Sequence, residues 1–289
     1  MTEYSQAVLL ESNPGGTANL VKEYYAGHAL SEWKRLVKDS YHRLELDTTL
    51  YFLKKHLPST GLVLDAGGGP GRYTIELAKL GYTPVLLDFA PANLEIAKKR
   101  IKRAGLRTQV KEIIEGSIVD LTRFADNTFD AVICTGGPLS HVVDRGDREK
   151  AVAELVRVAK PGAPIFVSVM SRLSVLVVEL TIGQSEIELP LFKCMRDTGD
   201  YYGGHGFTAC HFFLPEELRD AFIRQPVDIL EMAGLEGISS HHRRELNLLA
   251  KDKKRFDIWM ETHYLTCTHP AVVGLSEHML IICKKTGVE

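Results

Sequence analysis

The stretch from Leu62 to Arg72, LVLDAGGGPGR, decides the fold. An apolar run, Leu62-Val63-Leu64, ends in Asp65 and enters a loop with four glycines in the five positions 67–71. Beyond Arg72 the apolar residues Ile75, Leu77, Ala78 and Leu80 fall at helical spacing. Strand, glycine-rich turn and helix together form the nucleotide-cradling unit of open α/β sheets. The spacing narrows the ligand. A dinucleotide fingerprint, G-x-G-x-x-G, counted from Gly67 ends on Arg72 and fails, and no lysine follows Gly71 to complete a P-loop. What fits is D-x-G-x-G-x-G, through Asp65, Gly67, Gly69 and Gly71. A second buried strand, Pro84 to Leu87, then ends in Asp88, at the distance where an acid receives both hydroxyls of a ribose. Phe89 beside it is placed either to cover an adenine face or to pack in the core.

These residues resemble motif I and the acidic second strand tip of the class I S-adenosylmethionine (SAM) methyltransferases, and the resemblance covers about residues 60–170. It implies an α/β fold, Rossmann-like, with a seven-stranded, mostly parallel sheet in the order 3-2-1-4-5-7-6 and helices on both faces. It also implies SAM as cofactor and S-adenosylhomocysteine as its product. The implied cofactor contacts are Asp65, Gly67, Gly69, Gly71, Asp88, Phe89, Ser117, Thr135 and Gly136. At Ser117 the family usually carries an acid facing the adenine amino group, so the chain departs from the pattern there.

The remaining segments continue the register. Ala90 to Arg103 and Arg148 to Ala159 read as helices; Val110 to Ile114, Phe129 to Cys134 and Pro164 to Met170 read as strands. Two final strands are expected at Gly237 to Ser240 and His278 to Lys284. The expected organisation is one methyltransferase domain over 1–289. Within it, a helical lid spans 1–58, the SAM core 59–170, acceptor-side insertions 171–214 and 242–277, and closing sheet elements 215–241 and 278–289. In the lid, Leu20 to Tyr25, Trp33 to Val37 and Tyr41 to His56 look helical.

The loop after the fourth strand, Gly136-Gly137-Pro138-Leu139-Ser140-His141, is where the resemblance puts the acceptor. Family members that methylate nucleobase amines often carry [DNS]-P-P-[YFW] there; this chain keeps one proline and neither flanking residue. His141 is the expected polar contact or general base, with Ser140 and Pro138 beside it, or else His141 caps the following helix. Tyr25, Trp33 and Arg43 of the lid, and Tyr202, His205 and His211 of the first insertion, are the expected acceptor contacts. The competing reading is that these aromatic residues anchor their segments to the sheet. The spacings of Cys194, Cys210, His205 and His211 match no closed zinc site, so no metal is expected.

Bulk composition agrees with a large buried core: 289 residues, 45% of them hydrophobic, with a net charge of −2. Apolar runs are too short to span a bilayer, no leader pattern opens the chain, and no C-x-x-C pair occurs. A cytoplasmic protein is expected, its oligomeric state open, and nine Asn plus Gln hint at a thermophilic source. Two basic runs stand out. Lys98 to Lys111 holds seven Lys and Arg and no acid; His241 to Arg255 holds six against two acids. Three acceptor readings follow. The favoured one is a nucleobase amine in structured ribosomal or transfer RNA, on the basic runs and the partial loop motif. The alternative is a small metabolite, N- or O-methylated, and the last is a non-catalytic SAM-binding protein. A closed cavity of a few hundred Å³ would favour the metabolite.

Overall fold

The computed structural model describes residues 14–203 and 207–287. Its centre is a seven-stranded sheet. Counting only the strands of this sheet, they are β1 (Leu62–Ala66), β2 (Thr83–Asp88), β3 (Glu112–Glu115), β4 (Ala131–Cys134), β5 (Pro164–Met170), β6 (Val227–Gly234) and β7 (His278–Lys285). Their spatial order is β3-β2-β1-β4-β5-β7-β6. The first five run parallel, and β7 lies antiparallel between β5 and β6. This is the sheet order implied by the resemblance.

Alternation along the strands explains the layers. Leu64 and Ala66 of β1 join Val132 and Cys134 of β4 on one face, under Leu155 of α5 (Arg145–Val158) and Phe222 of α8 (Pro215–Ile223). Val63, Ala131 and Ile133 point to the other face. There they meet Phe52 and Leu53 of α2 (Ser40–His56) and Tyr73 and Leu77 of α3 (Arg72–Lys79). Because both faces are covered, the central strands are continuous apolar runs rather than alternating ones. Each such fully buried Leu or Phe contributes about 1.5–3 kcal/mol.

The expected lid segment, where described, holds two helices, α2 and the long α1 (Pro14–Arg35), which packs on α4 (Pro91–Arg103). Trp33 fastens α1. The Arg72 guanidinium lies 3.8 Å from the Trp33 ring centre and that of Arg100 5.0 Å, while Arg72 also donates to the Trp33 carbonyl. Trp33 therefore clamps α1 to the core and is not among the residues that line the cavity described below. The first insertion folds as α6 (Arg172–Thr181), α7 (Pro190–Thr198) and a two-stranded ribbon of Asp200–Tyr201 with Cys210–His211. The second folds as α9 (Arg243–Leu249), α10 (Lys253–Thr266) and α11 (Pro270–Val273).

One strand differs from expectation. Gly237–Ser239 is a 3-10 turn, forced by Gly237 in the left-handed region (φ +56), and the sheet's edge is instead Val227–Gly234. A bulge between Ile229 and Glu231 breaks the alternation of that strand, which hides it in the sequence.

The first basic run does not face the carboxyl ends of the parallel strands. α4 starts at the carboxyl end of β2 and runs back, so Lys98 to Lys111 lies toward the sheet's amino-terminal edge. In the second run Arg243 pairs with Asp39, Lys253 with Asp257 and Arg255 with Asp252.

Candidate active site

The strand order reverses between β1 and β4, and ligands of open α/β sheets bind in the crevice outside such a point. Here the crevice is a cavity of about 420 Å³. Its floor is the glycine loop. The Gly67 and Gly68 amides donate to the Leu87 carbonyl at 2.7 and 3.1 Å, tying the loop to the end of β2. Gly67 has φ +74, and a Cβ there would stand 2.5 Å from Pro138, so no other residue lets the loop touch the Pro138 turn so closely.

Asp88 closes the floor from β2. One carboxylate oxygen accepts the Gly69 amide at 2.9 Å; the other accepts the Ala90 amide at 2.9 Å and the Asn93 side chain at 3.2 Å. Burial raises its pKa while these three bonds oppose the rise. Phe89, Ser117, Thr135, Gly136 and Pro138 line the same cavity. The Thr135 hydroxyl and the Asn93 carbonyl oxygen are buried there without a protein partner. Such groups are costly unless a ligand satisfies them.

Two of the expected cofactor residues sit behind the wall. Asp65 is fully buried, accepts the Thr74 hydroxyl at 2.5 Å and lies under Gly68, so it shapes the loop from below. Burial pushes its pKa up to about 7. Gly71, at φ +81, caps α3 against Ala97.

The outer wall comes from α1 and from the 3-10 turn Pro138–His141. Tyr25 and His141 meet there, with 2.7 Å between the phenol oxygen and Nε2. The other ring nitrogen, Nδ1, lies 3.1 Å from the Ala209 carbonyl. Burial lowers the His141 pKa to about 4. Ser140 is not beside them: it is buried, and its hydroxyl accepts the Met170 amide at 2.9 Å, stapling the turn to β5.

Of the other expected acceptor contacts, none described lines the cavity. Arg43 is exposed and pairs with Asp47 at 3.1 Å. Tyr202 packs near Val21, Val143 and Ala209 behind the wall. His211 is buried in the ribbon, 2.5 Å from Asp200, within a network that includes Arg148, Arg172 and Glu217. His205 lies outside the described residues.

Sequence reasoning missed Glu32, Arg35 and Asp120, which also line the wall. Arg35 donates to Glu32 at 3.0 Å and grips the Glu45 carboxylate with two nitrogens. Glu45 sits in the middle of α2, where nothing in the sequence separates it from a solvated helical acid. In all, the wall carries five acids (Glu32, Asp88, Asp120, Asp144, Asp147) against Arg35 and Arg72.

Residues 63–162 match the family model described as a methyltransferase domain. A glycine/sarcosine N-methyltransferase from Aphanothece halophytica is 29% identical over 140 residues, 48% of this chain and 50% of that protein. The chain spans about half the length or less of these curated relatives. Among solved structures, a SAM-dependent methyltransferase from Methanosarcina mazei aligns with a TM-score of 0.58 at 18% identity, covering 81% of this chain and 97% of that one. A Burkholderia thailandensis 1,6-didemethyltoxoflavin-N1-methyltransferase, solved with its substrate and S-adenosylhomocysteine, also gives 0.58, at 13% identity over 95% and 91% of the two chains. At these identities the structures speak for the fold. Motif, sheet order and family match converge: the chain carries a class I S-adenosylmethionine-dependent methyltransferase domain.

Proposed function

We propose that the protein transfers a methyl group from SAM to a nitrogen of a small-molecule acceptor. The observation that carries this reading is the cavity of about 420 Å³, walled by the glycine loop on one side and by the lid helix α1 on the other. SAM itself takes up much of such a space, and what is left beside it suits a small acceptor, whereas a base presented by structured RNA needs an open, basic approach. Five acids on the wall and a basic run at the opposite sheet edge argue against a polyanion, so the RNA expectation gives way to the small-molecule one. The nitrogen acceptor is supported by relatives named for glycine and sarcosine N-methylation.

When bound, SAM supplies an electrophilic methyl group on a sulfonium. The residues present suit it. The Cβ-free loop admits ligand close to the backbone, Asp88 is held with its carboxylate toward the cavity to accept two ribose hydroxyls, and Thr135 and Asn93 offer unspent polar atoms. Phe89 covers an aromatic face, with Ser117 and Asp120 at the same end. Pro138 fixes the distance between loop and acceptor turn, and α1 excludes water, so the chain's main contribution is alignment in a dry site.

Two results check the proposal. Incubating the protein with methyl-labelled SAM and, separately, a panel of small amines and total ribosomal and transfer RNA should label an amine and leave RNA unlabelled. Label in RNA would overturn the acceptor class. Thr135→Val should leave the unliganded fold as stable or slightly more stable, because it removes an unpaired buried hydroxyl, while SAM affinity drops about five- to tenfold through one lost hydrogen bond. Unchanged affinity in calorimetry would remove Thr135 from the cofactor site.

A further inference from the structure

The hydrogen bonds around His141 have a direction. Ala209 offers a carbonyl oxygen, which can only accept, so the hydrogen sits on Nδ1. In the neutral ring Nε2 then holds a lone pair, and the Tyr25 hydroxyl, 2.7 Å away, must donate to it. A phenol has one hydrogen. With it committed to His141, the oxygen of Tyr25, a residue of the cavity wall, is left solely as an acceptor. The pair is also shielded: the Tyr25 and His141 rings meet edge to face at 5.2 Å, and Phe207 closes over His141 at 5.7 Å.

Building on the small-molecule reading, we propose that Tyr25 is a catalytic residue that takes a proton from the acceptor's nucleophile and passes its own to His141. The acceptor class is thereby restricted to nucleophiles that bear hydrogen, such as primary and secondary amines, and excludes tertiary amines, thioethers and carboxylates. The balance is simple. The nucleophile's lone pair forms the new bond to the methyl carbon, and the carbon–sulfur bond breaks with its pair kept by sulfur. The nucleophile's proton goes to the Tyr25 oxygen, and the Tyr25 proton goes to Nε2, leaving an imidazolium whose Nδ1–H stays on Ala209.

The surroundings favour passage over storage of charge. Tyr25 is buried and faces Glu32 and Asp88 as anions, with Arg35 and Tyr24 nearby, and its pKa is raised well above the usual phenol value by burial first and Glu32 next. It therefore does not rest as phenolate. Burial and, less strongly, Arg35 hold the His141 pKa down, so its imidazolium returns the proton to water between turnovers.

The test has a structural and a kinetic arm. Nitrogen NMR of the histidines in the wild-type protein with S-adenosylhomocysteine at pH 7 should show His141 neutral and protonated at Nδ1. The Nε2–H tautomer, or an imidazolium, overturns the relay whatever the acceptor proves to be. With the amine labelled in the panel, Tyr25→Phe and His141→Gln should each lower kcat about 100-fold with the KM for SAM unchanged, and the double variant should fall little further. The rate that remains should lose its dependence on the His141 proton at acid pH. A Tyr25→Phe enzyme with full kcat sinks the proposal. If no amine is labelled, the acceptor reading has failed by itself, and the tautomer alone decides the relay.

Discussion

Asp88→Ala should weaken SAM binding by about two to three orders of magnitude. A carboxylate that accepts two ribose hydroxyls contributes roughly 3–4 kcal/mol through charge-assisted bonds, and each 1.4 kcal/mol is about tenfold in affinity. The loss has a second source in this chain. The oxygen that accepts the Gly69 amide at 2.9 Å also fixes the top of the glycine loop, so alanine removes a ligand contact and loosens the floor together. Asp88→Asn keeps the volume and one acceptor oxygen and should fall between the two. Calorimetry with S-adenosylhomocysteine reads the effect, with circular dichroism to show the variants are folded; an affinity within threefold of wild type would remove the ribose role. The pH dependence has a definite sign. Burial raises the Asp88 pKa, and the ionised form is the one that accepts from hydroxyls. Affinity is therefore full at high pH and falls as pH drops, beginning earlier than for an exposed aspartate.

Asp88 was legible because its message is local: a strand, an acid at its tip, a glycine loop one unit upstream. The same holds for β1, β2, β4 and β5, whose apolar runs are set by burial on both faces. What the chain conceals is of another kind. Tyr25 and Trp33 lie on one helix and both look like lid residues, yet Tyr25 reaches the cavity and Trp33 is stacked between Arg72 and Arg100. Nothing in the spacing separates them, since the difference is made by residues far along the chain. Ser140 and His141 are neighbours in a 3-10 turn, where successive side chains diverge by about a third of a turn. One enters the cavity wall while the other anchors β5. His211 looked like an acceptor contact because its segment is dense in aromatic residues, glycines and histidines, but its charge partners, Asp200 and Glu217, come from either side of it and hold it inside the ribbon. A count of basic residues likewise carries no direction, and α4 points its basic end away from the crevice.

The second large effect concerns the lid's attachment. Beneath Arg35, Glu45 is almost fully buried, and His278 at the start of β7 stands 3.8 Å from it and 2.8 Å from Glu236. The two carboxylates are balanced by two cations, Arg35 and a protonated His278. The ligand-type atoms of Glu45, Glu236 and His278 lie within 4.8 Å of one another, but a divalent ion in place of the His278 proton would leave excess positive charge beside Arg35. Glu45→Ala leaves Arg35 with Glu32 and His278 with Glu236 but takes the shared anion from between them, and breaking a buried pair from one side costs about 3–5 kcal/mol. Urea unfolding should show that loss, and limited proteolysis should cut α1 sooner, since Arg35 is its last residue. A loss under about 1 kcal/mol would mean the network is solvated in solution.

The wild-type pH profile follows from the same charges. Glu45, and to a smaller extent Glu236, raise the His278 pKa to about 9 against burial, which opposes them. A group whose folded pKa is raised stabilises most below its unfolded value of about 6.5 and loses that contribution as pH climbs through 9, a swing of about 3 kcal/mol. Glu45 is held below the usual carboxylate range despite burial, chiefly by Arg35 and then by His278, so its contribution is lost on the acid side. Lid attachment should accordingly be firmest near pH 5–6.5. His278→Gln should flatten the alkaline limb and leave the acid limb in place, because Arg35 still answers Glu45 when the imidazole is gone.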